Sequence, residues 1–230
     1  MASSMVEQTS TELPTFYQLV DRLSSHLKQN GKPESFIYVN LLALTEVQVR
    51  RAFQAEGEHL DLLAWATRNL FELLLLCRFL LESPNHLVEF VGQKARDEIE
   101  IIEGFLVLSE FFSIPEAAKR LNATTAHITQ SISKIGVTPA RGISTKSLAS
   151  RFGLEREYSV LFKLCSKYVH PSALMVSSPH WIRKQESFRS ILLSGAEAYA
   201  MNILNLVALY AEYKLPSRIA DSIPNFLVKG

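Results

Sequence analysis

The sequence predicts an all-α fold, a bundle of long helices with a small helical insertion. Three observations predict it. Apolar residues recur at i, i+3, i+4 and i+7 over several long runs. No stretch of useful length alternates apolar and polar residues as a half-buried strand does. Gly31, Gly57 and the Ser83-Pro84-Asn85 turn separate the runs, and no repeat of 20–50 residues is present.

Composition sets the frame. A chain of 230 residues, 47% of them hydrophobic, is one large domain or one domain with an insertion, with ample material for a core. Its 24 basic and 23 acidic residues leave a net charge of +1, so no global field draws it to nucleic acid or membrane. A polyanion site has to be a local patch.

Residues 1–12, MASSMVEQTSTE, lack the basic start and apolar core of a secretory signal and read as a disordered tail. A first helix is expected from Thr11 to Asn30, with Thr11 as cap, Pro14 in the first turn and Gly31 as the stop. Pro33 to Phe53 gives a second, with Phe36, Ile37, Leu41, Leu42, Leu44, Val47 and Val49 apolar. His59 to Leu81 is apolar almost all round and is therefore expected at the centre. Its segment from Leu60 is long enough to span a bilayer, but Arg68, Asn69, Glu72 and Arg78 are costly in lipid, so a soluble helix and no membrane are expected. Leu87 to Phe112 follows, with Val91, Ala95, Ile102, Phe105, Leu106 and Phe112 facing inward.

Residues 113–154 are richer in Ser, Thr and Gly and read as the insertion between two parts of a bundle, 13–112 and 155–213. The stretch Glu155 to Ser172 is expected to hold one α-helix that ends at His170. Tyr158, Leu161, Phe162, Cys165, Tyr168 and Val169 form its oily face, and Ser159, Lys163, Ser166, Lys167 and His170 form another. Pro171 stops it, leaving His170 at a helix C-terminus. After a loop, Glu186 to Tyr213 is the last long helix, and residues 214–230 are an irregular tail. Cys77 and Cys165 fall inside apolar patterns, which suits reduced core thiols in a cytoplasmic protein.

Two polar sets stand out against these patterns. Arg68 and Glu72 sit at i, i+4 on the oiliest helix, so they need each other, a partner on another helix, or a wet cleft. Lys163, Ser166 and His170 share a stripe in which the imidazole can serve as a general base near neutral pH. A metal is not expected: Glu56-x-x-His59 is half of a di-iron helix motif without its second copy. No cofactor is expected either, because the glycines form no phosphate-cradling loop.

The segments RNLFELLLLCRFLL and YSVLFKLCSKYVHPS, in that order in an all-α chain, resemble the HEPN superfamily. The likeness is strongest to a branch with an Arg-x-x-x-Glu helix and a Ser-x-x-x-His-Pro helix, and it covers about residues 34–112 and 155–213. It implies a helical bundle that dimerises. It also implies metal-independent RNA binding and cleavage through the 2′-hydroxyl, in a bacterial toxin or phage-defence setting. His170 matches the family histidine; Lys163 and Leu164 stand where the family has arginine and a polar residue. The implied catalytic set is His170, Lys163, Ser166, Arg68 and Glu72, with Arg68 supplying the guanidinium.

A third segment, IPEAAKRLNATTAHITQSISKIG, resembles the helix-turn-helix of many bacterial regulators, with Asn122 at the turn. Its second helix is expected to present Thr125, His127, Thr129, Gln130, Ser133 and Lys134 to nucleic acid. Three functions follow as expectations: an HEPN-like RNA-binding and RNA-cleaving domain, a DNA-binding regulator, and a non-catalytic interaction module.

Overall fold

A computed structural model describes residues 2–55, 59–169, 173–177 and 186–216. The fold is an all-α helical bundle, with no strand among the described residues. The helices are α1 (Ala2–Gln29), α2 (Ser35–Gln54), α3 (Leu60–Glu82), α4 (Pro84–Phe111), α5 (Pro115–Lys134), α6 (Thr145–Arg151), α7 (Glu155–Glu157), α8 (Lys163–Val169), α9 (Ala173–Ser177) and α10 (Glu186–Tyr210). A π-helical segment, Tyr158–Phe162, joins α7 to α8.

The chain divides into two compact units, one of residues 1–78 and 145–230, the other of residues 79–144. The long helix expected from Leu87 to Phe112 thus groups with α5, and residues 145–154 group with the first unit, so the division differs from the expected insertion at 113–154.

In the first unit, α2 packs on α1 and on α10. Leu23 and Leu27 of α1, Leu42 of α2, Leu63, Leu70, Leu74 and Leu75 of α3 and Leu192 of α10 are fully buried. Each such leucine contributes about 1.5–3 kcal/mol by leaving water. Cross-links fix the helices. The Thr67 hydroxyl reaches the Leu192 carbonyl at 3.1 Å, the His26 ring reaches the Ala211 carbonyl at 3.0 Å, and the Tyr38 and Tyr210 rings meet at 4.3 Å. The α10 helix is apolar and long enough to cross a membrane by composition, and half of that stretch is buried inside the protein.

In the second unit, α4 begins at Pro84 with Ser83 as its cap, the Ser83 hydroxyl accepting from the Asn85 amide at 3.3 Å. The α4 and α5 helices pack together as a hairpin. Ser113 makes the reversal in a left-handed conformation, φ 57°, with the Ile114 amide bonded to the Ser109 carbonyl at 2.8 Å.

Several expectations need correcting. The helix begins at Ala2, within the expected tail, and runs through Pro14. Residues 2–12 hold neither Gly nor Pro, and extending an existing helix avoids the cost of a new nucleus. Phe105 of α4 and Phe112 just beyond it, expected inward, are exposed, as are the apolar Phe36, Leu44 and Val47 of α2. Gly57 and Glu56 lie outside the described residues.

The helix-turn-helix is also corrected, because α5 runs unbroken through Asn122. Nothing forces a turn there. Asn122 is exposed, and the Thr124, Thr125 and Thr129 hydroxyls bond back to carbonyls four residues earlier, satisfying themselves within the helix.

Candidate functional site

Arg68 and Glu72 belong to α3 and the π segment to the stretch that leads into α8, and the fold brings them together. The Arg68 Nε donates to Glu72 Oε1 at 3.3 Å. The same guanidinium lies over the Phe162 ring, 4.4 Å from its centroid. Phe162 in turn stacks on Tyr158 at 4.8 Å and meets Phe71 of α3 at 6.3 Å; Phe71 meets Tyr199 of α10 at 5.3 Å. An aromatic cluster from three helical stretches therefore carries one arginine at its edge.

That arginine is not buried. Its side chain is 24% exposed and that of Glu72 is 37% exposed, so the pair stays hydrated. The desolvation cost feared for a charge on so apolar a helix is largely avoided by this edge position.

The helix under Arg68 departs from the single α-helix expected. Between Tyr158 and Phe162 it widens to a π-helix, a rare geometry concentrated at functional sites. The widened turn stacks the Tyr158 and Phe162 rings and sets the second of them under Arg68. Beyond it, Cys165 is buried, and burial pushes its thiol up to about 12 although the nearby Arg68 charge works against the rise. It is an inert core thiol at neutral pH.

The other expected catalytic residues are placed as follows. Lys163 is exposed and has no ion-pair partner among the described residues. Ser166 is half-buried, its hydroxyl donating to the Phe162 carbonyl at 2.9 Å. That bond holds the proton within the helix and does not suit a nucleophile. His170 lies outside the described residues. The α5 set is in the other unit: Thr125 is half-buried, while His127, Thr129, Gln130, Ser133 and Lys134 are exposed along one continuous helix. Among the described residues, no group of three His, Cys, Asp or Glu is placed to hold a metal ion.

A cavity of about 280 Å³ opens beside Glu72, lined by Leu44 and Gln48 of α2 and by Asn69, Glu72, Leu73 and Leu76 of α3. The Asn69 amide donates to Gln48 Oε1 at 3.3 Å. The sequence marks Asn69 only as a polar residue costly in lipid, and the signal for Gln48 lies in spacing. Leu41, Thr45, Gln48 and Ala52 follow helical spacing, and all four are buried, so Gln48 is a polar residue at a core position.

A family model described as "Family of unknown function (DUF5677)" matches residues 56–188, more than half of the chain, and the chain belongs to that family. The matched span carries α3, the π segment and α8, and it excludes Gln48. No curated protein matches the chain, and no solved structure does.

Proposed function

We propose that this member of the family is an HEPN-like domain that binds RNA, and cleaves it without metal, at the seam where α3 meets the Tyr158–Val169 stretch. The observation that carries the reading is the seating of Arg68. An aromatic ring beneath and a carboxylate beside it fix the guanidinium while leaving it hydrated at the surface, which suits a phosphate contact. The two segments that resemble the HEPN motifs are the ones that meet there.

In this reading Arg68 holds a phosphate by its planar fork and Lys163 adds a point charge. Glu72 orients Arg68, and Ser166 supports the helix rather than the chemistry. His170 removes the 2′-hydroxyl proton, the 2′-oxygen attacks phosphorus, and the 5′-oxygen leaves with a proton taken from water, giving a 2′,3′-cyclic phosphate and a free 5′-hydroxyl. Arg68 and Lys163 stabilise the pentacoordinate centre. A second protomer completes the cleft, and the setting is a cytoplasmic toxin or phage-defence system.

The test is twofold. Purified protein should bind single-stranded RNA with steep salt dependence, and cleavage should persist in chelator and vanish in His170→Ala. An absence of RNA binding at low salt refutes the reading. Binding without cleavage on varied RNAs refutes only its catalytic half.

One observation favours a second reading, a non-catalytic interaction module. Ile101, Phe105 and Leu108 of α4 and its C-cap Phe112 recur at spacings of four, three and four, and all are exposed. A monomer in solution with no co-purifying protein would remove it.

A further inference from the structure

We infer that the outer face of the α4–α5 hairpin is an interface between two copies of this chain, which pair there as a four-helix bundle. The assignment goes beyond the RNA-binding reading and does not rest on it, since no residue of the Arg68 cluster lies on either helix. The second unit carries more apolar bulk outside than inside. Phe79, Leu80, Ala95, Ile102 and Ile132 are its buried hydrophobic residues, whereas ten large hydrophobic residues between Val88 and Ile143 are exposed. The cause lies in α4. Beyond its first turn it buries Gly92, Ala95, Ile102 and Ser109, mostly small residues, and its large side chains fall on the next face round.

Those large residues are ordered. Ile101, Phe105, Leu108 and Phe112 follow the four-three-four spacing of a coiled-coil seam, a pattern whose complement is another helix. One heptad earlier the same positions hold Lys94 and Glu98, bonded to each other at 2.6 Å, so the seam has a polar end. At its other end the Phe111 and Phe112 rings meet edge to face, 5.1 Å between centroids. Phe105, Phe111 and Phe112 are 55%, 80% and 63% exposed. These three rings alone offer roughly 300–500 Å², at about 150–250 Å² for a whole aromatic side chain. Ile101, Leu108 and Ile114, all exposed, add to that. The face thus passes the few hundred Å² usual on a monomer and reaches the scale of the about 800 Å² that each partner gives to a standard interface.

Charge identifies the partner as a second copy. From Asp97 to Glu116 the chain holds six acidic residues and no basic one; from Ala117 to Ser144 it holds Lys119, Arg120, Lys134 and Arg141 and no acidic one. Arg120, His127 and Lys134 recur every seven residues and all are exposed, which makes a basic edge along α5. Asp97 stands one turn before Ile101 and continues the rim of the seam on α4. Asp97, Arg120 and Lys134 have no ion-pair partner among the described residues. A two-fold pairing that lays α4 of each copy along α5 of the other sets the acidic stretch on the basic edge twice and encloses both seams. Nucleic acid or an anionic membrane would be repelled by α4. An unrelated partner would need both charge patterns beside an apolar seam, and this chain already carries them.

The experiment is sedimentation equilibrium of the full chain at micromolar concentrations, with circular dichroism to confirm that each variant is folded. Wild type should sediment as a dimer. Phe105→Glu with Leu108→Glu should weaken the dimer at least about a hundredfold while keeping the helical content of wild type, because both side chains are exposed in the single chain. Ile101→Gln with Leu108→Gln is the milder pair should the first fail to fold. Arg120→Glu with Lys134→Glu should weaken the dimer about tenfold. A wild-type monomer overturns the inference, and so does a dimer of wild-type strength in a folded seam variant. A seam that instead holds a different co-purifying protein on a monomeric chain overturns the second copy as occupant. Full dimer strength in Arg120→Glu with Lys134→Glu overturns the placing of α4 along α5.

Discussion

Replacing Arg68 with leucine separates what the guanidinium does for folding from what it does at the surface. Leucine keeps an apolar stem against Phe162, so packing is largely preserved. The lost interactions are weak. Arg68 precedes Glu72, the less favourable order for a helical pair, and both side chains are hydrated, so the ion pair contributes about 0.3–0.5 kcal/mol. The contact with Phe162 contributes about 0.5–1 kcal/mol at this exposure. Arg68→Leu should therefore cost about 1 kcal/mol, a fall of about 2–4 °C in Tm for a chain of this size. RNA binding should suffer much more. A charge-assisted contact to one phosphate is worth about 1.5–3 kcal/mol, roughly a ten- to hundredfold loss in affinity. The slope of log K against log salt should flatten by about 0.7 for the lost phosphate on a single strand. Paired thermal melts and RNA titrations at several salt concentrations measure both quantities. Unchanged affinity and slope in a folded Arg68→Leu protein would show that the arginine does not touch RNA. A Tm drop beyond about 8 °C would show that its role in the fold has been underestimated.

Three further outcomes follow from the packing. Burial holds the Cys77 and Cys165 thiols at about 12, up from 9.0, and pushes the Tyr38 and Tyr199 phenols upward as well. Unfolded chains release those thiol protons above pH 9 while the native protein keeps them, so stability should be intact below pH 9 and fall toward pH 12; urea midpoints that stay flat over this range would contradict it. Two α4 glycines should respond in opposite directions. A methyl group at Gly104 meets nothing within 4 Å, so Gly104→Ala should stabilise by about 0.5–1 kcal/mol, whereas one at Gly92 stands 2.6 Å from the Thr138 carbonyl oxygen and should destabilise by about 1–3 kcal/mol, both read by denaturant melts. Ser113 holds the left-handed position that glycine usually fills between two helices, so Ser113→Gly should raise stability by about 0.5–1 kcal/mol; a loss on denaturant titration would mean that its side chain is needed.

Helical periodicity made the long elements legible. The third helix was expected from His59 to Leu81 and runs from Leu60 to Glu82; the last was expected from Glu186 and starts there. Positions that depend on which face meets a partner were less legible. Phe105 and Phe112 repeat as core residues do, but Ala95, Ile102 and Ser109 occupy the buried face of α4, leaving those phenylalanines outside. Spacing alone does not distinguish two apolar faces of one helix. Similarly, the Asn122 turn rested on a residue that tolerates left-handed geometry, while the rest of Pro115–Lys134 favoured one helix. At the site, the meeting of the Arg68 helix with the Tyr158–Val169 stretch was expected from the motif pair. The π turn was not, since its five residues carry no pattern that separates them from an α-helix. Gln48 was missed because Leu41, Leu42, Val47 and Val49 dominate the reading of its helix.

Arg68, Asn69 and Glu72 interrupt a largely apolar α3, and Gln48 of α2 bonds to Asn69 there. Folding alone gives little reason for them. Leucine at Gln48 alone would strip the Asn69 amide of its acceptor, whereas replacing both amides by apolar groups of the same shape is near neutral. Leucine at Arg68 costs only about 1 kcal/mol by the contacts described above. A largely apolar helix nevertheless carries the guanidinium of Arg68, the amide of Asn69 and the carboxylate of Glu72, beside a π turn. Local departures from the folding pattern are where binding sites are expected, because selection for a site accepts sequence choices that selection for stability would not. The combined variant Gln48→Leu with Arg68→Leu puts this to a single comparison. Retention of most of the native Tm with loss of RNA affinity is the expected result, and cooperative collapse of the fold would assign the cluster to structure.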